Sequence, residues 1–257
     1  MTDIHATAIV DPGAEIGVDV TIGPFCTVGP NVVIGDGVSL QSHVVLDGWT
    51  TIGNECRIFP FASIGTQCQD LKFKGAQTFV KIGERTTIRE SATVNSGTDE
   101  GDVTAVGSDC LLMAYTHVAH GCTVGNEVVM ANVATLAGHV TVHDQAILGG
   151  LCAVHQFTKI GRLAMVGGCT KVTQDVLPFS IADGHPAELR GLNAIGMKRR
   201  HISPAARKVI KEVFHIISHE NLSTPAALEK VGKNVDLVEE VEYMIDFIQS
   251  SERGICK

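Results

Sequence analysis

The sequence predicts a mainly β fold, a parallel β-helix built from hexapeptide repeats, followed by a small α-helical domain. Two observations carry the first part. Bulky aliphatic residues recur at every sixth position: Ile4, Val10, Ile16, Ile22, Val28 and Ile34 begin a stride that runs to Ile64, resumes at Ile82, and resumes again from Val106 to Val172. Four places after each comes a small or β-branched residue, such as Ala14, Val20, Cys26, Val38 or Ala62. A period of six fits neither a helix nor a simple alternating strand, but it fits a solenoid whose two marked positions face inward. One observation carries the second part. Beyond Pro178 the stride gives way to apolar stripes at helical spacing.

The elements follow in chain order. Residues 1–190 read as the β-helix, with three hexads per triangular coil, so residues 18 apart stack at about the 4.8 Å strand spacing. The stride breaks at TQCQDLKFKGAQTF (66–79) and at SGTDEGDVTA (96–105). Loops that leave a solenoid at a corner are where function gathers. Residues 191–257 read as the helical domain, closing the open end of the prism. Ser203-Pro204 has the form of an N-cap with proline at the first helical position, ahead of Val209, Ile210, Val213, Ile216 and Ile217. Ser223-Thr224-Pro225 opens a second helix, and a third is expected over 236–250, with Leu237, Val241, Met244, Ile245 and Ile248 on one face.

Composition narrows the function classes. Hydrophobic residues make up 44% of the 257 but aromatic ones only 5%, as suits a narrow prism that admits Val, Ile, Ala and Cys more easily than rings. No apolar run is long enough to span a bilayer. The N-terminus MTDIHATAIV lacks the basic and apolar regions of a signal peptide and lies in hexad phase, so a cytoplasmic location is expected. Cys26, Cys56, Cys110, Cys122 and Cys152 occupy the small fifth position of their hexads, which makes them reduced packing residues. The formal charge of −8 argues against general nucleic-acid binding. Basic residues nevertheless cluster in MKRRH (197–201) with Arg207, Lys208 and Lys211, which is either a solvated helix face or a place for a phosphate or an acidic partner.

Stacking also predicts a site. The third positions of hexads starting at Val118, Leu136 and Val154 are His120, Gly138 and Gln156, and they should meet on successive coils. His139, His155 and His117 fall within one place of that corner. Imidazole serves as a general base near neutral pH or as a metal ligand. A glycine in the stack allows close approach and leaves an N–H to donate. A second column, Ala114, Asn132, Gly150 and Gly168, either forms a shallow groove for an extended apolar chain or merely eases the corner turns.

The string THVAHGCTVGNEVVMANVATLAGHVTVHDQAILGGLCAVHQF (116–157) closely resembles the UDP-N-acetylglucosamine acyltransferases, which catalyse the first step of lipid A biosynthesis. HVVLDGWTTIG, FASIGTQCQDLKF, TIRESATVNSGT, MVGGCTKV and GLNAIGMKRR extend the resemblance over the whole chain. It implies a left-handed winding, a homotrimer with active sites in the clefts between subunits, and acyl carrier protein as the donor's carrier. It also implies that His120 is the base for the sugar 3-hydroxyl attacking a (R)-3-hydroxyacyl thioester, with the Gly138 N–H as donor to the thioester oxygen. By the same resemblance, His117, His139, His155 and Gln156 hold the UDP-sugar, and Asp70 and Lys72 grip the glucosamine. Asn193, Arg199 and Arg200 meet the uridine and phosphates, and Gly168 limits acyl-chain length. No cofactor and no metal are implied.

The chain departs from the family pattern at Gly121, where an Asp often follows the base, at Asn95 and Ser96, where His-Arg is frequent, and at Ile195, where a Glu commonly lies. These positions bear on the fine contacts to donor and sugar, including whether the acceptor carries a 3-hydroxyl or a 3-amino group. A zinc enzyme similar to the γ-class carbonic anhydrases is the alternative from another class. It requires three imidazoles around one point, whereas these histidines sit at different hexad phases. A later N-acyltransferase of the same pathway would need an extra N-terminal domain, and a purely structural solenoid leaves the histidines and the pair Asp70 and Lys72 unexplained.

Overall fold

The computed structural model describes residues 1–220 and 222–257. Most hexads deliver one two-residue strand, as in Thr21–Ile22, Thr27–Val28 and Val33–Ile34, with the aliphatic second residue buried and the first exposed. Every third strand pairs in parallel with the one a coil below. Among the described residues this gives three sheets of eleven, nine and eight strands, the faces of a left-handed prism. The first sheet begins at Asp3–Ile4, the second at Ile9–Val10 and the third at Glu15–Ile16.

The corners explain why so short a repeat closes. The residue three places after the aliphatic one takes a left-handed conformation, at φ of 55° for Asp19, 59° for His43, 61° for Tyr115 and 58° for His139. That conformation costs a non-glycine residue roughly 1–2 kcal/mol. It also turns the corner N–H along the prism axis onto the coil below, as in His43 N–H to Pro24 O at 3.0 Å and Tyr115 N–H to Glu90 O at 2.9 Å. Inside, Ile, Leu and Val from all three faces fill a continuous core, with Ile58, Ile64, Ile88 and Leu112 fully buried. The fifth-position cysteines are buried free thiols within it.

The spacing of 18 holds except where the loops leave. Ile58 aligns with Ile88 and Ser63 with Thr93, an offset of 30, and Ile88 then aligns with Leu112, an offset of 24. Each loop is therefore an insertion that the ladder absorbs without losing phase.

At the far end the pattern changes in ways the hexad stride does not announce. Ser180–Asp183 continues the first sheet, and Glu188–Leu192 pairs with it antiparallel. Among the described residues four helices follow: α1 (Ala194–Arg199), α2 (Pro204–His219), α3 (Thr224–Asn234) and α4 (Glu239–Gln249). The short α1 lacks an apolar stripe and was not expected. The helix expected over 236–250 starts later, at Glu239, because Val238 is extended. Ser203 caps α2 through Ala206 N–H at 3.1 Å, whereas Ser223 makes no side-chain cap. The apolar faces of α2–α4 pack on Leu163, Leu177 and Phe179, and the chain's last residues add to the end coil, with Cys256 N–H on Asp175 O at 3.0 Å. No described helix is long and apolar enough to cross a membrane.

Candidate functional site

The strands His117–Val118, Thr135–Leu136 and Ala153–Val154 are neighbours in the second sheet, in register His117–Thr135–Ala153. Their register brings His120, Gly138 and Gln156 to one corner between the second and third sheets. The backbone ladder continues round it, from His139 N–H to His120 O at 2.9 Å and from Phe157 N–H to Gly138 O at 3.1 Å. The His120 ring lies across Gly138, so that a Cβ on Gly138 would come within 2.2 Å of His120 Nε2. Gly138 N–H has no hydrogen-bond partner among the described residues.

The first loop closes over this corner. Asp70 Oδ2 is 3.7 Å from His120 Nε2, and both side chains are largely shielded, at 24% and 17% exposure. Asp70 Oδ1 accepts the Lys72 N–H at 2.9 Å, which fixes the loop tip as a tight turn. Lys72 then lines a cavity of about 340 Å³ with Lys74, Thr98 and Asp99, between the two loops. Asn95 is buried at the roots of both loops. Its Nδ2 donates to Gln67 O at 3.2 Å, while Ser96 N–H donates to Thr66 O at 3.0 Å. The Asn95 side chain, one of the departures from the family pattern, thus ties the loop roots together. Asp102 anchors the second loop by accepting the Asp99 N–H at 2.9 Å.

Electrostatics favour an uncharged His120. Burial pushes its imidazole below the ordinary range, and the neighbouring His139 adds to this, while Asp70 and Asp102 oppose and Lys72 reinforces. His117 is lowered for the same first reason, with His120 contributing, and its Nδ1 shares a hydrogen bond with Thr93 Oγ1 at 2.7 Å. His139 meets His120 edge-on at 5.1 Å and stacks flat on Phe157 at 4.9 Å. His155 is exposed, with Nδ1 3.2 Å from Gln156 O. The histidines thus share one edge without converging on a point, and no group of three potential metal ligands forms among the described residues.

Asn193, Arg199 and Arg200 lie elsewhere, on a cavity of about 600 Å³ between α1 and the outer surface of the first sheet, floored by Val129, Ile147, Met165 and Ile181. Asn193 is buried and fully engaged. Its Oδ1 accepts the Gly196 N–H at 2.9 Å as the cap of α1, and its Nδ2 donates to Leu163 O at 2.9 Å. Arg200 pairs with Glu127, while the Arg199 side chain points into solvent at the rim. Ile195, 66% exposed, adds apolar surface where the family pattern has an acid. In a triangular section the corner between the second and third sheets is opposite the first sheet, so this cavity and His120 face away from each other within one chain.

The small column Ala114, Asn132, Gly150 and Gly168 stacks on the corner between the first and second sheets. A Cβ on Gly168 would lie 3.3 Å from Gly150 O, so the floor of the groove there is the backbone itself. Sequence reasoning missed Asp102, Phe157, Thr93 and Glu127. Phe157 follows Gln156 at the left-handed corner place and was legible as a ring on the histidine edge, but the other three gave no motif.

The family described as Udp N-acetylglucosamine O-acyltransferase, Domain 2, matches residues 175–256, and one described as GMPPB C-terminal domain matches residues 4–98. A protein of Thermodesulfovibrio yellowstonii named acyl-[acyl-carrier-protein]--UDP-N-acetylglucosamine O-acyltransferase is 48% identical over all of both chains. One of the same name from Trichlorobacter lovleyi is 52% identical over 99% of each. Among solved structures, LpxA from Acinetobacter baumannii is 42% identical with a TM-score of 0.96, covering 99% of each chain. The UDP-N-acetylglucosamine acyltransferase of Francisella novicida is 37% identical with a TM-score of 0.95, covering 98% of this chain and 93% of that one.

Proposed function

Because the chain belongs to the UDP-N-acetylglucosamine O-acyltransferase family, we propose that it moves an acyl group from acyl carrier protein to UDP-N-acetylglucosamine, the first step of lipid A biosynthesis. The observation that supports the residue roles best is the His120 Nε2 held between the Asp70 carboxylate and the Gly138 backbone. In this reading Nε2 takes the proton of the sugar 3-hydroxyl as that oxygen attacks the thioester carbonyl of a 3-hydroxyacyl chain. The Gly138 N–H donates to the oxygen that becomes negative, which a preorganised donor stabilises most in the transition state. The tetrahedral species collapses, the carrier thiolate leaves, and the imidazolium returns the proton to it.

Asp70 and Lys72 position the glucosamine, and His117, His139, His155 and Gln156 line its approach. The engaged amide of Asn193 shapes the groove by fixing α1, while Arg199 and Arg200 supply the forked donors that suit phosphates. Gly168 sets how far the acyl chain reaches. Since the base and the nucleotide groove face opposite ways within one chain, one site takes its base from one copy and its arginines from a neighbour. A cyclic homotrimer meets that requirement. Residues 1–190 form the reacting scaffold and residues 191–257 the domain carrying the nucleotide contacts, and the protein works in the cytoplasm.

Two experiments test this. His120→Ala should leave folding and oligomeric state unchanged and slow transfer by about 10²–10⁴-fold; turnover close to the unaltered enzyme would end the base assignment. Co-refolding His120→Ala with the Arg199→Ala and Arg200→Ala double variant should, at a UDP-sugar concentration well below the double variant's KM, give more activity than the two parents summed, through hybrid trimers, and no such gain would contradict a shared site.

A further inference from the structure

Gly121 occupies a corner place whose conformation does not explain it. Its φ is +65°, but the equivalent corners hold Ser91 at 56°, Tyr115 at 61°, Val133 at 64°, His139 at 58° and Phe157 at 62°. The fold therefore accepts almost any side chain there. What distinguishes residue 121 is the space beside it. A Cβ on Gly121 would lie 2.4 Å from His139 Nδ1 and 2.7 Å from Cε1, well inside van der Waals contact. With no Cβ present, the His139 ring lies over the backbone of residue 121, parallel to Phe157 at an angle of 1° and edge-on to His120 at 80°.

We propose that Gly121 is a positioning residue that acts through His139: by leaving its corner empty it lets that imidazole stack on Phe157 and press edge-on against the base His120. The inference rests on His120 being the base. The arrangement has an electrostatic consequence, because a proton on His139 opposes a proton on His120 a ring's width away. The charged groups facing His120 are few: His117 from its own coil, Asp70 and Lys72 from the first loop, Asp102 from the second, and His139 from the next coil. After burial, His139 is the strongest of the influences keeping His120 uncharged, against the two carboxylates. Any side chain at 121 would push the ring off the Phe157 stack and weaken that influence.

The test is the pH profile of kcat/KM for Gly121→Ala, His139→Gln and the double variant, each shown to be folded and assembled. Gly121→Ala should move the acid limb to higher pH, because a His120 freed of its neighbour holds its proton longer. His139→Gln should move it the same way, and the double variant no further than His139→Gln alone. An acid limb unmoved by Gly121→Ala, or shifts that add in the double variant, would overturn the proposal. Should Gly121→Ala fail to fold, an unmoved limb in His139→Gln overturns it equally well. His120→Ala separates the two levels: activity retained there defeats the base assignment, whereas loss there with an unmoved limb in Gly121→Ala defeats only the role of Gly121.

Discussion

Replacing Gly138 by alanine adds one methyl group at the point where His120, the proposed base, sits. The ideal Cβ lies 2.2 Å from His120 Nε2, 2.7 Å from Cε1 and 2.9 Å from Cδ2. The ring has to retreat by about 1 Å to regain ordinary contact distances. The backbone itself has no objection, since Gly138 is not among the positive-φ glycines. Gly138→Ala also keeps the backbone N–H proposed to meet the developing oxyanion, so the change isolates the position of the proposed base from that of the donor. A displacement of about 1 Å at a reacting group lowers the rate by about 10²-fold. We therefore expect kcat to fall by about that factor, the KM for the nucleotide sugar to change by less than about threefold, and thermal stability to shift by no more than about 1 kcal/mol. Steady-state acyl transfer with thermal unfolding on the same preparations measures all three. A kcat within about twofold of the unaltered enzyme would refute the reasoning, because the ring then has room that the geometry denies it.

The remaining expectations concern pH, the nucleotide groove and the end cap. The His117, His120 and His143 imidazoles are all lowered by burial from an ordinary value of 6.5, so the unfolded chain binds more protons than the native one below that value. Their contribution to stability is complete above 6.5 and declines as the pH falls through the lower native values. The unfolding temperature should therefore drop between about pH 7 and pH 5, and a flat profile would contradict these three burials. The double change Arg199→Ala with Arg200→Ala should raise the KM for the UDP-sugar by at least about tenfold, as expected for losing a charge-assisted bond of about 1.5–3 kcal/mol, with kcat nearly kept; an unchanged KM removes the phosphate role. Tyr243 of α4 accepts the Arg162 N–H at 3.0 Å and bonds His143 Nδ1 at 3.0 Å. Tyr243→Phe leaves both unpaired and should destabilise the chain by about 1–3 kcal/mol in calorimetry, an unshifted transition counting against it.

The coil architecture was legible because one rule, an inward aliphatic residue every sixth place, repeats from Ile4 to Val172 and leaves helical periods no room. The same rule places His120, Gly138 and Gln156 together, since stacking converts sequence distance into adjacency. It could not say how Asp70 reaches His120, because a loop that leaves the ladder has no periodicity to read. It was equally silent on α1, which is held by the Asn193 cap at 2.9 Å rather than by an apolar stripe. Gly121, Asn95 and Ser96 stood out only as departures. The reasons for Gly121 and Asn95, a ring beside one and the loop roots at the other, are contacts between distant segments, and no side-chain contact explains Ser96. Nor does one chain's sequence show that the arginine groove lies on the side of the prism opposite His120.

The most direct measurement is product analysis by mass spectrometry after incubating the protein with UDP-N-acetylglucosamine and a mixture of 3-hydroxyacyl-acyl carrier proteins, with His120→Ala alongside. The account predicts a UDP-sugar carrying one 3-hydroxyacyl ester at the 3-oxygen, free carrier thiol in equal amount, and formation of both slowed by about 10²–10⁴-fold with His120→Ala. An unacylated sugar, or the same ester formed at an equal rate without the imidazole, would contradict it.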